Sequence, residues 1–154
     1  MPARLDTVDR QILKELQANG RITNVELAHR VGISAPPCLR RVRALERAGY
    51  ITGYRALLDP KRLGYEVTVF AMVHLTSQAE ADLNAFEEFV RGQPLVRECW
   101  MLSGEVDFIL KCVAPDLKTF QAFVGDLTAA PLVRNVKTSL TLRNSKDAPI
   151  VPLE

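Results

Sequence analysis

The residues with the most chemistry to offer are four arginines, Arg40, Arg41, Arg43 and Arg47, set behind the stretch "SAPP" at residues 34–37. A guanidinium is always charged and presents a planar fork of donors that fits phosphate or the major-groove edge of guanine. At about 100° per residue, Cys38, Leu39, Val42 and Leu45 gather on one side of a helix over this stretch. Arg40, Arg43 and Arg47 then lie roughly opposite, with Arg41 at the flank. Pro36 and Pro37 fit the mouth of such a helix, because its first N–H groups have no intrahelical partner to lose. Ser34 is the expected N-cap and Gly49 the stop. A helix that inserts its N-terminal end into the major groove would bring Ser34, Ala35, Pro36 and Pro37 close to DNA, with the arginines behind them for phosphates or guanines. The competing reading is a solvated basic face on a structural helix.

The elements around this helix favour the first reading. Asp6 caps a preceding helix with Val8, Ile12, Leu13 and Leu16 on one face, ending at Gly20. A second, short helix has the capping-box spacing Thr23–Glu26, the staple pair Ile22 and Leu27, and a stop at Gly32. A short helix, a tight glycine turn and a second capped helix form a helix-turn-helix signature. Thr23 and Asn24, at the start of the middle helix, join the candidate DNA contacts. After Gly49, "YITGYRALLD" has β character around Gly53 and would form a small hairpin, or wing.

Charge divides the chain in the same place. The net charge is +2, but residues 1–64 carry 12 Lys and Arg against 6 Asp and Glu, whereas residues 65–154 carry 8 against 12. A module of +6 that meets a polyanion, joined to one of −4 with another task, is the simplest reading. We place the DNA-binding domain at 1–58 and a turn-rich linker, "DPKRLGY", at 59–65. An acidic second domain follows at 66–143, and a tail without period at 144–154.

The second domain alternates differently. "VTVFAMVHLT" and "LVRECWML" read as strands, as does "VDFILKCV" with Val106, Phe108, Leu110 and Cys112 on one side. A helix after a Ser77–Glu80 capping box carries Leu83, Phe86, Phe89 and Val90. Another begins at Pro115 and Asp116 and carries Leu117, Phe120, Val124 and Leu127. "VKTSLTLR", residues 136–143, closes the series. The order βαββαβ is ferredoxin-like, so the fold class is α+β: a winged helix-turn-helix followed by a βαββαβ domain.

The rest of the composition narrows the function. Three cysteines, Cys38, Cys99 and Cys112, have no paired spacing and suit small buried hydrophobes better than disulfides. His29 and His74, the two histidines, fall in different domains, and no metal-ligand cluster, nucleophile elbow, P-loop or dinucleotide loop is present. We expect no enzyme, no catalytic residue, no metal and no cofactor. No signal-peptide pattern or apolar run of membrane length is present, so a cytoplasmic protein without membrane contact is expected.

With both halves in view, the chain resembles the Lrp/AsnC family of bacterial and archaeal transcription regulators. The resemblance covers about residues 5–143 and rests on three stretches, "LDTVDRQILKELQANGR", "ELAHRVGISAPPCLRRVRALERAGYITGYRALLDP" and "ECWMLSGEVDFILKCVAPD". It implies a sequence-specific regulator of double-stranded DNA that responds to an amino acid and assembles as dimers, often octamers, through its second domain. The family's recognition helix corresponds to Ser34–Arg47 and its effector loop to "LSGEVD", residues 102–107. In that loop Gly104 offers close backbone approach and an N–H to a carboxylate, Asp107 an acceptor for an α-ammonium, and Ser103 counts with them as an effector-binding residue. A plain hairpin turn with a surface aspartate is the alternative. Met101 and Leu102 either line the effector's side-chain pocket or belong to the strand core. Two departures bear on the transfer: Arg40, where the pattern allows an acidic residue, and the tail, which matches nothing. An architectural DNA-bending protein and an amino-acid-binding regulatory subunit of an enzyme are the other readings.

Overall fold

The computed structural model describes residues 5–148 and 150–153. They form two compact units, one running to Leu57 and rejoining at Asp147, the other spanning Leu58–Lys146.

Three helices build the first unit. α1 (Thr7–Ala18) starts with a complete capping box: the Asp6 carboxylate accepts from the Asp9 N–H at 2.8 Å while Asp9 accepts in return. α2 (Asn24–Val31) is capped by Thr23, whose hydroxyl accepts from the Glu26 N–H. The reciprocal half of that box is absent, because the Glu26 carboxylate turns to Arg30 one helical turn on. Gly32 ends α2 with φ 73°, a left-handed conformation that a side chain would strain. α3 (Ala35–Arg47) carries Pro36 and Pro37 in its first turn. Its first backbone bond runs from the Cys38 N–H to the Ser34 carbonyl, so the prolines remove no hydrogen bond. Ile12, Leu13, Leu27, Ala28, Val31, Cys38 and Leu45 form the buried core between the helices.

Residues 52–59 form neither helix nor strand and make no ladder hydrogen bond to another strand among the described residues. The hairpin expected here is therefore not formed among the described residues, and Leu57 and Leu58 are exposed.

The second unit is a four-stranded antiparallel sheet of order β2-β3-β1-β4, from β1 (Val67–Leu75), β2 (Val96–Met101), β3 (Phe108–Ala114) and β4 (Val133–Leu140). α4 (Glu80–Arg91) follows β1 and α5 (Leu117–Ala129) follows β3. Alternation explains the packing. Val69, Ala71, Val73 and Leu75 of β1 and Phe108, Leu110, Cys112 and Ala114 of β3 are all buried with Phe86, Val90, Phe120, Phe123 and Leu127 from the helices. Phe86 and Phe108 meet with ring centroids 4.8 Å apart. Burying each such large side chain contributes about 1.5–3 kcal/mol.

Several boundaries differ from the periodicity. Ser77 does not cap α4; its hydroxyl accepts from the Ala79 N–H in a local turn, and the helix begins at Glu80 behind an uncapped Ala79. Val106 lies in the turn before β3, and Leu117 of α5 is half exposed. β4 begins three residues earlier than alternation suggests, leaving Leu142 almost fully exposed.

Candidate nucleic-acid interface and effector loop

The exposed face of α3 is built by the packing of the other face. Cys38 and Leu45 are buried, and this fixes the rotation that turns Arg40, Arg43 and Arg47 to solvent. Among the described residues none of these three arginines has an ion-pair partner, so their full charge is available to a polyanion. Ser34 and Pro36 are exposed at the helix mouth, and Ala35 and Pro37 are partly covered. Ser34 makes no side-chain cap bond, which leaves its hydroxyl free to face outward.

Arg41, expected at the flank of the DNA-reading face, is paired within the chain. Its Nη1 lies 2.7 Å from Asp6 and 2.8 Å from Asp9, so it binds α3 to the start of α1. The Asp9 N–H and the Arg41 guanidinium hold the Asp6 carboxyl below the ordinary aspartate range, and the two aspartates push the Arg41 guanidinium up. Asn24 is also engaged internally: its amide donates to the Ala35 carbonyl at 2.8 Å and fastens the turn between α2 and α3. Its Oδ1 is buried without a partner among the described residues. Thr23 remains exposed, with its hydroxyl accepting the cap bond. Both aspartates lie more than thirty positions from Arg41, so no local spacing signals the pairing.

The effector loop is closed by the Leu102 N–H donating to the Asp107 carbonyl at 2.9 Å. Gly104 has φ 127° and open space where a Cβ would stand, a conformation that selects glycine. Met101 and Leu102 are exposed, at 58% and 40%, so they are not strand core within the chain. Ser103 is exposed beside them.

Asp107 is the only buried charged or polar residue among those described, at 9% exposure. Its Oδ2 accepts from the Leu75 N–H at 2.7 Å, and its own N–H donates to the Val73 carbonyl. The carboxylate thus extends the β1 ladder past its last pair. The Gln78 amide nitrogen lies 3.4 Å from both carboxylate oxygens. The sequence does not single out Gln78, since nothing in its spacing separates it from other polar residues.

The cysteines are free. Burial pushes the Cys99 and Cys112 thiols up to about 11, and raises Cys38 as well, so none is an activated nucleophile. Among the described residues no three His, Cys, Asp or Glu side chains converge as metal ligands would, and no helix is long and apolar enough to cross a membrane.

Comparison with known proteins assigns each half. A family model described as winged helix-turn-helix DNA-binding matches residues 5–52, and one described as Lrp/AsnC ligand binding domain matches residues 68–151. The leucine-responsive regulatory protein of Rhizobium meliloti is 60% identical over 145 residues, covering 94% of this chain and 93% of that protein. Its namesake in Escherichia coli is 41% identical, with 94% and 88% covered. A transcriptional regulator from Neisseria meningitidis, solved in complex with L-Met, superposes with TM-score 0.93 at 38% identity, covering 97% of each chain. An AsnC family regulator from Agrobacterium tumefaciens gives 0.91 at 35% identity, again with 97% of each covered.

Proposed function

The chain belongs to the Lrp/AsnC family, and from that premise we propose how it works as a regulator of transcription: α3 reads DNA, and the loop at residues 102–107 binds an amino acid. The observation that carries this reading is the division of labour among the arginines. Arg41 is neutralised by α1, while Arg40, Arg43 and Arg47 share one exposed face without ion-pair partners among the described residues. Phosphate contacts from that face supply affinity, and the residues at the helix mouth, Ser34 to Pro37, supply discrimination at base edges. Thr23 contributes a phosphate contact from the start of α2.

For the effector, the free α-carboxylate meets backbone N–H groups at Ser103 and Gly104, and the α-ammonium meets the Asp107 carboxylate. Met101 and Leu102, exposed beside the loop, line the pocket for the effector's side chain. The L-Met complex of the Neisseria relative supports an amino-acid effector here. The effector acts by binding two states of the assembly with different affinity. A thermal-shift screen with individual amino acids tests this. One of them is expected to raise the melting temperature in a concentration-dependent way, equivalent to about 2.7 kcal/mol at a hundredfold excess over Kd. No shift with any of them contradicts an amino-acid effector.

The sheet supports homo-oligomerisation. Phe70, Met72, Trp100 and Ile109 point away from the helix-covered side, and Phe70 and Trp100 are exposed, at 36% and 62%. A second copy would cover this face, giving dimers that assemble further. Several recognition helices would then engage DNA together and multiply a modest single-site affinity. Trp100→Glu is expected to reduce the particle mass measured by light scattering, because it sets a charge in the covered face. An unchanged mass would remove this face from the assembly. We place the protein in the cytoplasm on the nucleoid, acting without catalysis or a resident cofactor.

A further inference from the structure

The segment after β4 has no period, yet its end groups with the helix-turn-helix unit. The Val151 N–H donates to Gln17 Oε1 at 2.8 Å, and Gln17 Nε2 donates to the Val151 carbonyl at 3.0 Å. One side-chain amide thus satisfies both main-chain groups of one residue, as a neighbouring strand would. Glutamine suits this because its amide carries an acceptor and a donor on one plane; glutamate lacks the donor and lysine the acceptor. Two residues on, Leu153 packs against the core cluster of that unit. With Ile150 and Val151 it forms one side of a groove of about 470 Å³ whose other side includes Leu5, Leu13, Leu16, Tyr50 and Ile51. Pro152 stands between clamp and anchor and limits the conformations the free segment must give up on docking.

We propose that residues 150–153 are an intramolecular ligand of the DNA-reading unit, held by Gln17 and anchored by Leu153. The apolar surface beside α1 is a docking surface for an extended apolar peptide, and its occupant is the tail of the same chain. Residues 58–146 are consequently joined to the reading unit at both of their ends.

Hydrogen exchange on the full-length protein tests this without DNA or effector, so its outcome is separate from that of the functional reading. The tail amides are expected to exchange about tenfold faster in Gln17→Ala than in the parent chain, and faster still in Leu153→Asp. A parent tail that already exchanges as fast as in Leu153→Asp would overturn the docking. In a Cys99→Ala background, Thr52→Cys with Ile150→Cys, which line the groove from its two sides and leave the Gln17 clamp intact, and a short bis-maleimide distinguish the occupant. Cross-linked product of single-chain mass supports the proposal, and product of double mass overturns it in favour of tails exchanged between copies.

Discussion

Replacing Arg40, Arg43 and Arg47 together by alanine is expected to weaken DNA binding on the order of 10²-fold near physiological salt. Each guanidinium that neutralises a phosphate releases condensed counterions, so the slope of log affinity against log salt should flatten by about 0.9 for every phosphate left without its guanidinium. Those three side chains have no competing ion-pair partner among the described residues, and their removal leaves Cys38 and Leu45 buried as before. The fold is therefore expected to survive, with melting close to that of the parent chain. Arg41→Ala is the internal contrast. It breaks the link from α3 to Asp6 and Asp9, so it should lower the melting temperature of the first unit while leaving the salt slope intact. If the slope flattened with Arg41→Ala and not with the triple variant, the assignment of the DNA-facing side of α3 would be reversed. Salt titrations by fluorescence polarisation read both variants.

The second large effect concerns Asp107, whose carboxylate has a structural duty as well as the proposed ligand. Asp107→Ala leaves the Leu75 N–H without its buried acceptor, at a cost of about 1–3 kcal/mol. A lost effector response in that variant would therefore be ambiguous. Asp107→Asn separates the two roles. Its amide oxygen can still accept from Leu75, while the negative charge that recognises an ammonium is gone. Asp107→Asn is expected to melt near the parent temperature and to bind the effector at least about tenfold more weakly, the loss of one charge-assisted hydrogen bond. DNA affinity without effector should not change. A normal effector response in a stable Asp107→Asn protein would make Asp107 a clamp on the end of β1 and move the ligand elsewhere.

Asp107 and Arg41 also show what the sequence can and cannot reveal. The features set by neighbours within a turn are legible: the Asp6–Asp9 box, the Thr23 cap, the left-handed Gly32 and the prolines opening α3. Each depends on backbone groups a few residues away. The βαββαβ order is legible because the buried faces of β1 and β3 impose strict alternation. Alternation places β4 too late because the outer half of that strand is scarcely covered and tolerates polar residues on both faces. Ser77 imitates a cap because its spacing to Glu80 is right, but its hydroxyl finds a nearer N–H. The arginines of α3 look equivalent in sequence, and only the approach of α1 distinguishes Arg41 from the others. Asp107 stands out as an acid beside a glycine turn. Its bond to Leu75, 32 positions away, is a property of the β1–β3 pairing. The tail is opaque for the same reason: four residues without period carry no local signal, and their partner Gln17 lies 134 positions back.

The central claim is that one chain couples an amino acid at the second domain to DNA at the first. The most direct measurement is fluorescence polarisation with a fragment of the DNA upstream of its own gene, at fixed salt, with and without a pool of amino acids. The account predicts binding well above that to a non-specific fragment, with an affinity that shifts when the pool is added. Tight binding indifferent to the pool would contradict the coupling and favour an architectural protein. Binding no tighter than to the non-specific fragment would contradict specific recognition at that site.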